Sequence, residues 1–143
     1  MDAVLGYSYL DAGYHDSPYY HEGSAPMNTA NHMANGWFNY TFFEGFLRNL
    51  SLGAGVYYVG ERPFAEYTYQ VLPGHNVQPN TKPFIADPYT TFNLQAGYRV
   101  DKVQLRLFFN NIFNSKGYTA YYRGGYLNQT DPANIAATIN YQF

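Results

Sequence analysis

At 143 residues with no cysteine, the chain has the length of one domain and can form neither disulfides nor thiolate metal sites. Its net charge of -2, without a basic run or an RNP-like or helix-turn-helix pattern, excludes a nucleic-acid binder. Charged residues make up only 13% against roughly 25% in an average domain, while 17 Tyr and 11 Phe dominate a 20% aromatic share, so part of the surface is expected in lipid.

No window approaches the roughly 20 consecutive apolar residues of a membrane helix, so any spans must be strands. The first strand is read from Ala3 to Leu10, with Val4 and Leu10 interrupting its polar face. A second runs from about Met33 and is marked by Phe38, Tyr40 and Phe42. In the third, Leu50, Leu52, Ala54, Val56 and Tyr58 alternate with Ser51, Gly53, Gly55 and Tyr57, a face of very small residues that suits a crowded or water-lined interior.

Thr90 to Val100 sets Phe92, Leu94, Ala96 and Tyr98 against Thr91, Asn93, Gln95, Gly97 and Arg99. The short link Val100-Asp101-Lys102 joins it as a hairpin to Val103 to Asn110. There Val103, Leu105, Leu107 and Phe109 oppose Gln104, Arg106 and Asn110, and Phe108 is the exception on the polar face. The sixth strand, Asn134 to Phe143, alternates up to a terminal phenylalanine. An end that does not fray into polar residues needs an apolar medium along one face.

No segment longer than a turn or two shows the helical period. The sequence therefore predicts an all-β chain, an antiparallel transmembrane β-barrel segment of about six strands. Connections around Phe43 to Asn49 and Val100 to Lys102 are short; those around Asp11 to Ala30, Glu61 to Pro88 and Ile112 to Ala133 are long. Short periplasmic turns and long extracellular loops are the asymmetry of outer-membrane barrels. Strands of about nine to eleven residues suffice for an apolar band of about 25 Å. Tyr7, Tyr9, Tyr40, Tyr58, Tyr98 and Tyr141 fall where interfacial girdles are expected. A soluble barrel with its apolar face inward would carry Lys and Glu outside, whereas the polar face here is Thr, Asn, Gln and Gly.

Four phrases, LSLGAGVYYVGERP (Leu50 to Pro63), PYTTFNLQAGYRVDK (Pro88 to Lys102), VQLRLFFNNIFNSKGY (Val103 to Tyr118) and the closing IAATINYQF, resemble in order and spacing the carboxy-terminal strands of TonB-dependent siderophore receptors. GYSYLDA (Gly6 to Ala12) and APMNTANHMANGWFNYTF (Ala25 to Phe42) fit the two strands before them. The resemblance implies outer-membrane import of ferric siderophores, with energy passed from TonB, through a barrel of about twenty-two strands that holds an N-terminal plug. Against that pattern, residues 1–143 are expected to be the carboxy-terminal portion of such a barrel, with the plug and the remaining strands absent. The opening MDAVLGYSYLDAG has neither a basic n-region nor a long apolar core and does not read as a secretory signal.

No catalytic constellation is legible, so no enzyme and no cofactor are expected. His15, His21, His32 and His75 fall in or beside long loops at spacings that match no zinc motif and are read as solvated loop residues. Asp and Glu are scattered without an arguable acid/base pair, and no helix follows Gly53 to Gly55 to make a phosphate loop. The resemblance implies that loop side chains hold the ferric siderophore, which singles out Tyr67, Tyr69, Tyr121, Tyr122 and Arg123: rings pack on a flat chelator and the guanidinium meets its negative charge. Packing of the loops against one another is the competing role for each. Tyr141 and Phe143 resemble the terminal signal read by the outer-membrane assembly machinery, with strand pairing at an edge as its physical basis.

The partners implied are thus a ferric siderophore, outer-membrane lipid, TonB through the missing plug, and the assembly machinery. Two other readings compete: a small structural or adhesive outer-membrane β-barrel protein, and a soluble β-barrel carrier.

Overall fold

The computed structural model describes residues 1–74, 76–123 and 125–143. One of the four histidines, His75, lies outside the described residues. Every regular element among the described residues is a strand: β1 (Asp2–Tyr9), β2 (His32–Thr41), β3 (Leu50–Val59), β4 (Arg62–Pro63), β5 (Tyr69–Leu72), β6 (Asn76–Pro79), β7 (Ile85–Ala86), β8 (Tyr89–Val100), β9 (Val103–Asn110), β10 (Tyr118–Tyr122), β11 (Tyr126–Gln129) and β12 (Asn134–Tyr141).

Six of them form one antiparallel sheet in the order β1-β2-β3-β8-β9-β12. These are the six strands legible in the alternation. The others pair two by two, β4 with β7, β5 with β6 and β10 with β11, inside connections that the sequence marks only as long loops. Ribbons this short carry too few residues to display a period.

The register sorts side chains by face. One row across all six strands reads Ala3, Phe38, Ala54, Leu94, Phe109 and Ile135, entirely apolar. A row on the opposite face reads Thr41, Ser51, Gly97, Arg106 and Thr138. Because the side-chain period is two, a slip of one residue would exchange these rows, so lipid on one side and water on the other fix the register.

The small residues of β3 have a specific neighbour. Trp37 on β2 pairs with Gly55, and its indole lies across both glycines. A Cβ on Gly53 would stand 2.7 Å from Cζ2 of Trp37, and one on Gly55 would collide with the same ring. The polar face is therefore crowded at this point, filled by an indole from the neighbouring strand.

Both short connections leave one end of the sheet. Asp101 and Lys102 make the β8–β9 turn, with Asp101 in the left-handed region at φ 46°. Residues 42–49 make the β2–β3 turn. The three long connections, residues 10–31, 60–88 and 111–133, gather at the other end.

Buried apolar side chains are few and sit at or beyond that end: Ala30, Val59, Phe64 and Ala86. The sheet face itself stays open, with Leu5 87% and Ile139 74% exposed. A six-stranded wall that leaves large apolar side chains uncovered is built for an apolar surrounding rather than for an internal core.

Candidate functional site

The three long connections form a crown over the end of the sheet, held by hydrogen bonds that cross between them. In the first connection Ser17 Oγ accepts from the amides of Tyr19 and Tyr20, and Gly23 N–H donates to Tyr14 O, a local turn that stacks Tyr14 on Tyr20 at 4.1 Å. The same segment then lies against the second connection. Tyr20 bridges to Thr68, His21 N–H donates to Tyr67 O at 2.7 Å, Tyr69 N–H donates to Tyr19 O at 2.9 Å, and Tyr67 N–H donates to Ser24 Oγ at 2.8 Å.

Asn28 ties all three. Its backbone N–H donates to Pro63 O at 2.8 Å, while its side-chain amide donates to Tyr121 O and accepts from Tyr121 N–H, each at 2.8 Å. An amide that bonds both backbone groups of one residue imitates a strand partner. The φ of 62° at Asn28 is one that Asn tolerates better than most residues.

The root of the third connection is held by Asn111, which is buried. Its N–H donates to Asn93 Oδ1, its Nδ2 donates to Ser115 O and Asp131 O, and its Oδ1 accepts from Ser115 N–H. Thr130 closes the same root, accepting from Gly117 N–H and donating its hydroxyl to Ser115 O.

Two aromatic clusters result. Phe64 packs against Phe84, Tyr118 and Tyr121 at centroid distances of 5.3, 5.8 and 5.8 Å. His21 stacks on Tyr67 at 4.6 Å and leans on Tyr69 at 5.6 Å. The histidine read from the sequence as a solvated loop residue is thus packed between two of the expected ligand tyrosines. His32 belongs to β2, where its Nδ1 meets Tyr7 Oη at 2.8 Å.

The five expected ligand residues are not brought to one point. Tyr67 and Tyr69 share His21, whereas Tyr121, Tyr122 and Arg123 sit on or beside β10. Tyr121 turns into the Phe64 cluster, and Tyr122 is exposed. Arg123 reaches across to Glu66, with Nη2 at 3.2 Å from both carboxylate oxygens. The Glu66 charge and hydrogen bond, with a further hydrogen bond to Tyr20, hold the Arg123 guanidinium above its ordinary pKa. Elsewhere in the crown, the hydrogen bond from His15, then that from the Asp16 amide, holds the Glu22 carboxyl below its ordinary value. At the far end of the sheet, Tyr141 and Phe143 meet edge to face at 5.2 Å.

Between the first two connections lies a cleft of about 340 Å3, lined among others by His21, Ser24, Arg62, Tyr67 and Lys82. Arg62 is 6% exposed, with its guanidinium carbon 5.4 Å from the Tyr89 ring centroid. Its Nε and Nη2 find no hydrogen-bond partner among the described residues, and the Tyr89 face offsets part of the cost of burying this charge. A second cleft of about 340 Å3 opens where the polar face of the sheet meets the third connection, between Tyr57, Tyr89, Asn93, Asn110 and Asn134. Among the described residues no three His, Asp or Glu side chains converge to hold a metal ion.

Sequence reasoning did not single out Asn28, Ser24, Phe64, Glu66, Asn111 or the packing role of His21. For Asn111 a signal existed in the NNIFN run, because Asn readily occupies the left-handed region, here at φ 48°. For the others the partner lies too far along the chain to leave a local pattern.

A polar face, an apolar face and a crown of interlocked loops at one end are the parts of a membrane-barrel wall. The family model for TonB dependent receptor-like β-barrels matches residues 1–114. The chain belongs to the TonB-dependent receptor family. Among its relatives, the ferrichrome outer membrane transporter/phage receptor of Escherichia coli K12 is 42% identical over 60 residues, covering 42% of this chain and 8% of the relative. The metal-pseudopaline receptor CntO of Pseudomonas aeruginosa is 28% identical over 141 residues, covering 96% of this chain and 18% of the relative.

Two solved structures share the fold. Pseudomonas aeruginosa FpvA bound to a heterologous ferric pyoverdine superimposes with a TM-score of 0.61 at 21% identity, covering 83% of this chain and 15% of that one. FpvAI in complex with pyocin S2 gives 0.60 at 21% identity, covering 80% and 14%. The chain therefore spans less than a fifth of the length of these relatives. Membership of this TonB-dependent receptor family sets the apolar row of the wall in the outer membrane, with the short turns periplasmic and the crown extracellular.

Proposed function

We propose that residues 1–143 are the carboxy-terminal portion of the barrel of an outer-membrane receptor that imports ferric siderophores, with the plug and the other strands contributed by chain outside this segment. The observation that carries the reading is the interlocked crown on a six-stranded wall whose sequence matches the family model. Relatives named for ferrichrome and metal-pseudopaline, and a related fold bound to ferric pyoverdine, support a metal chelate as cargo.

In this reading the chain performs no chemistry on its cargo. Tyr67 and Tyr69, held by His21, offer ring faces; Tyr122 offers an exposed ring and Arg123 a cation on the neighbouring ribbon. Tyr121 contributes from beneath by fixing β10 to Asn28. Energy comes from TonB through the plug, and Tyr141 and Phe143 present the terminal strand to the assembly machinery.

The test is iron-limited growth of a receptor-deficient host that expresses the full receptor carrying this segment, on a panel of ferric chelates. Growth on at least one chelate, weakened by Tyr67→Ala with Tyr69→Ala at unchanged receptor abundance, is the expected result. Growth on none, with the receptor assembled in the outer membrane, would sink the siderophore reading.

A further inference from the structure

Arg123, the cation that the sequence offers to an anionic ligand, already donates to a carboxylate, that of Glu66. Arg62, which sequence reasoning passes over, is in a different position. It lies in β4, where pairing of Arg62 with Ala86 and of Pro63 with Ile85 ties the start of the second connection to its end. The residue is 6% exposed, yet its Nε and Nη2 have no hydrogen-bond partner among the described residues.

These two nitrogens form one edge of the guanidinium. Their N–H bonds point the same way and are spaced like the two oxygens of a carboxylate, which is how arginine takes that group bidentately. In Arg62 the whole edge is unclaimed, while the Tyr89 ring lies 5.4 Å from Cζ. A ring face holds the tip without hydrogen bonds, so the edge can turn toward a carboxylate. Burial strengthens such a pair, because its surroundings screen less than water does.

Arg62 lines the cleft of about 340 Å3 between the first two connections, and other side chains there suit the same group. Lys82 adds a second cation from an exposed position. Ser24 Oγ accepts from Tyr67 N–H and keeps its own O–H to donate, and the Tyr67 ring stands on the same wall. Two carboxylates also line the cleft. Glu22 is engaged by His15 and the Asp16 amide, and Glu61, the residue before Arg62, bonds to neither Nε nor Nη2.

We propose that this cleft is a carboxylate site, in which the Nε–Nη2 edge of Arg62 takes both oxygens of a carboxylate on the ferric chelate and Lys82 supplies a second positive charge. The site rests on the import reading given above and narrows the cargo to chelates that keep a carboxylate free of the iron.

The experiment measures binding of paired ferric chelates to the full receptor carrying this segment, purified in detergent. The pairs are trihydroxamates, tricatecholates and mixed ligands, each made with a pendant carboxylate and with the same group as its methylamide. In at least one pair the carboxylate form is expected to bind about ten-fold tighter or more. Arg62→Gln should bring it down to the affinity of the methylamide and leave the methylamide unchanged. Arg62→Lys, which keeps the charge but not the paired donors, should recover only part of the preference. Lys82 is exposed, so Lys82→Gln keeps the fold and decides the matter if Arg62→Gln does not assemble: the preference should fall several-fold, and an unchanged preference would overturn the proposal. Equal binding of both members by the wild type would overturn the site and leave the import reading standing, whereas an assembled receptor that binds no member of any pair would lose both. Arg62→Gln weakening both members alike would show a residue that only holds the crown. An Asp or Glu side chain seated on the Arg62 edge in a structure of the full receptor would show that the receptor fills the site itself. Either result overturns the proposal.

Discussion

The wall and the crown solve opposite problems. In the wall, backbone ladders join six strands and almost nothing apolar is buried, so its side chains depend on a lipid surrounding on one face and on the contents of the barrel on the other. In the crown the surroundings are water, and Phe64, Ala86, Ser24, Arg62 and Asn111 are buried by protein alone. A single short chain thus carries a half that can be completed only by its medium and a half that completes itself.

The comparison sharpens most at Phe64. Removal of this buried ring from its four-ring cluster, by Phe64→Ala, is expected to cost about 3–5 kcal/mol of crown stability, seen as faster proteolytic nicking in the long loops, while the barrel keeps its heat-resistant migration on a gel. Loss of both together would show that crown and wall melt as one unit.

The wall answers to a different substitution. Leu94→Arg, on the apolar row, should destabilise the receptor in vesicles by about 2–4 kcal/mol in a urea titration, whereas Gln95→Arg on the opposite face should be nearly silent. Equal costs at the two positions would contradict the assignment of faces.

Asn28→Ala is expected to cost about 1–3 kcal/mol, because both backbone groups of Tyr121 lose their partner in a half-buried place. The readout is hydrogen exchange at the Tyr121 amide, which should accelerate with the amides of β8 unchanged. The smallest effect concerns acid. Glu22 has a lowered folded pKa, so its contribution is complete above the ordinary value of 4.5 and is lost as pH falls through the lower folded value. Exchange at the Asp16 amide, which donates to Glu22, should show protection falling in that window and flat behaviour above it.

The wall was legible in the sequence because a strand between lipid and water writes a period of two into its residues. Five of the six alternations read directly, and even the blurred β1 fell within a residue of its bounds. The small face of β3 was legible as either crowded or water-lined; that it is crowded, and by what, was not, since Trp37 belongs to another strand. The crown was barely legible. Asn28 meets Tyr121 across 93 residues and Arg123 meets Glu66 across 57, and such pairs leave no local trace. The choice of tyrosines as ring surfaces rested on the family resemblance and on their place in long loops, which cannot tell an exposed ring such as Tyr122 from one turned inward such as Tyr121.

Trp37 is the only tryptophan in these 143 residues, and its indole rests on two glycines on the face of the wall that looks into the barrel. It is a built-in optical gauge: the colour and intensity of its emission depend on how wet that face is. A change in what fills the barrel would register there without any dye.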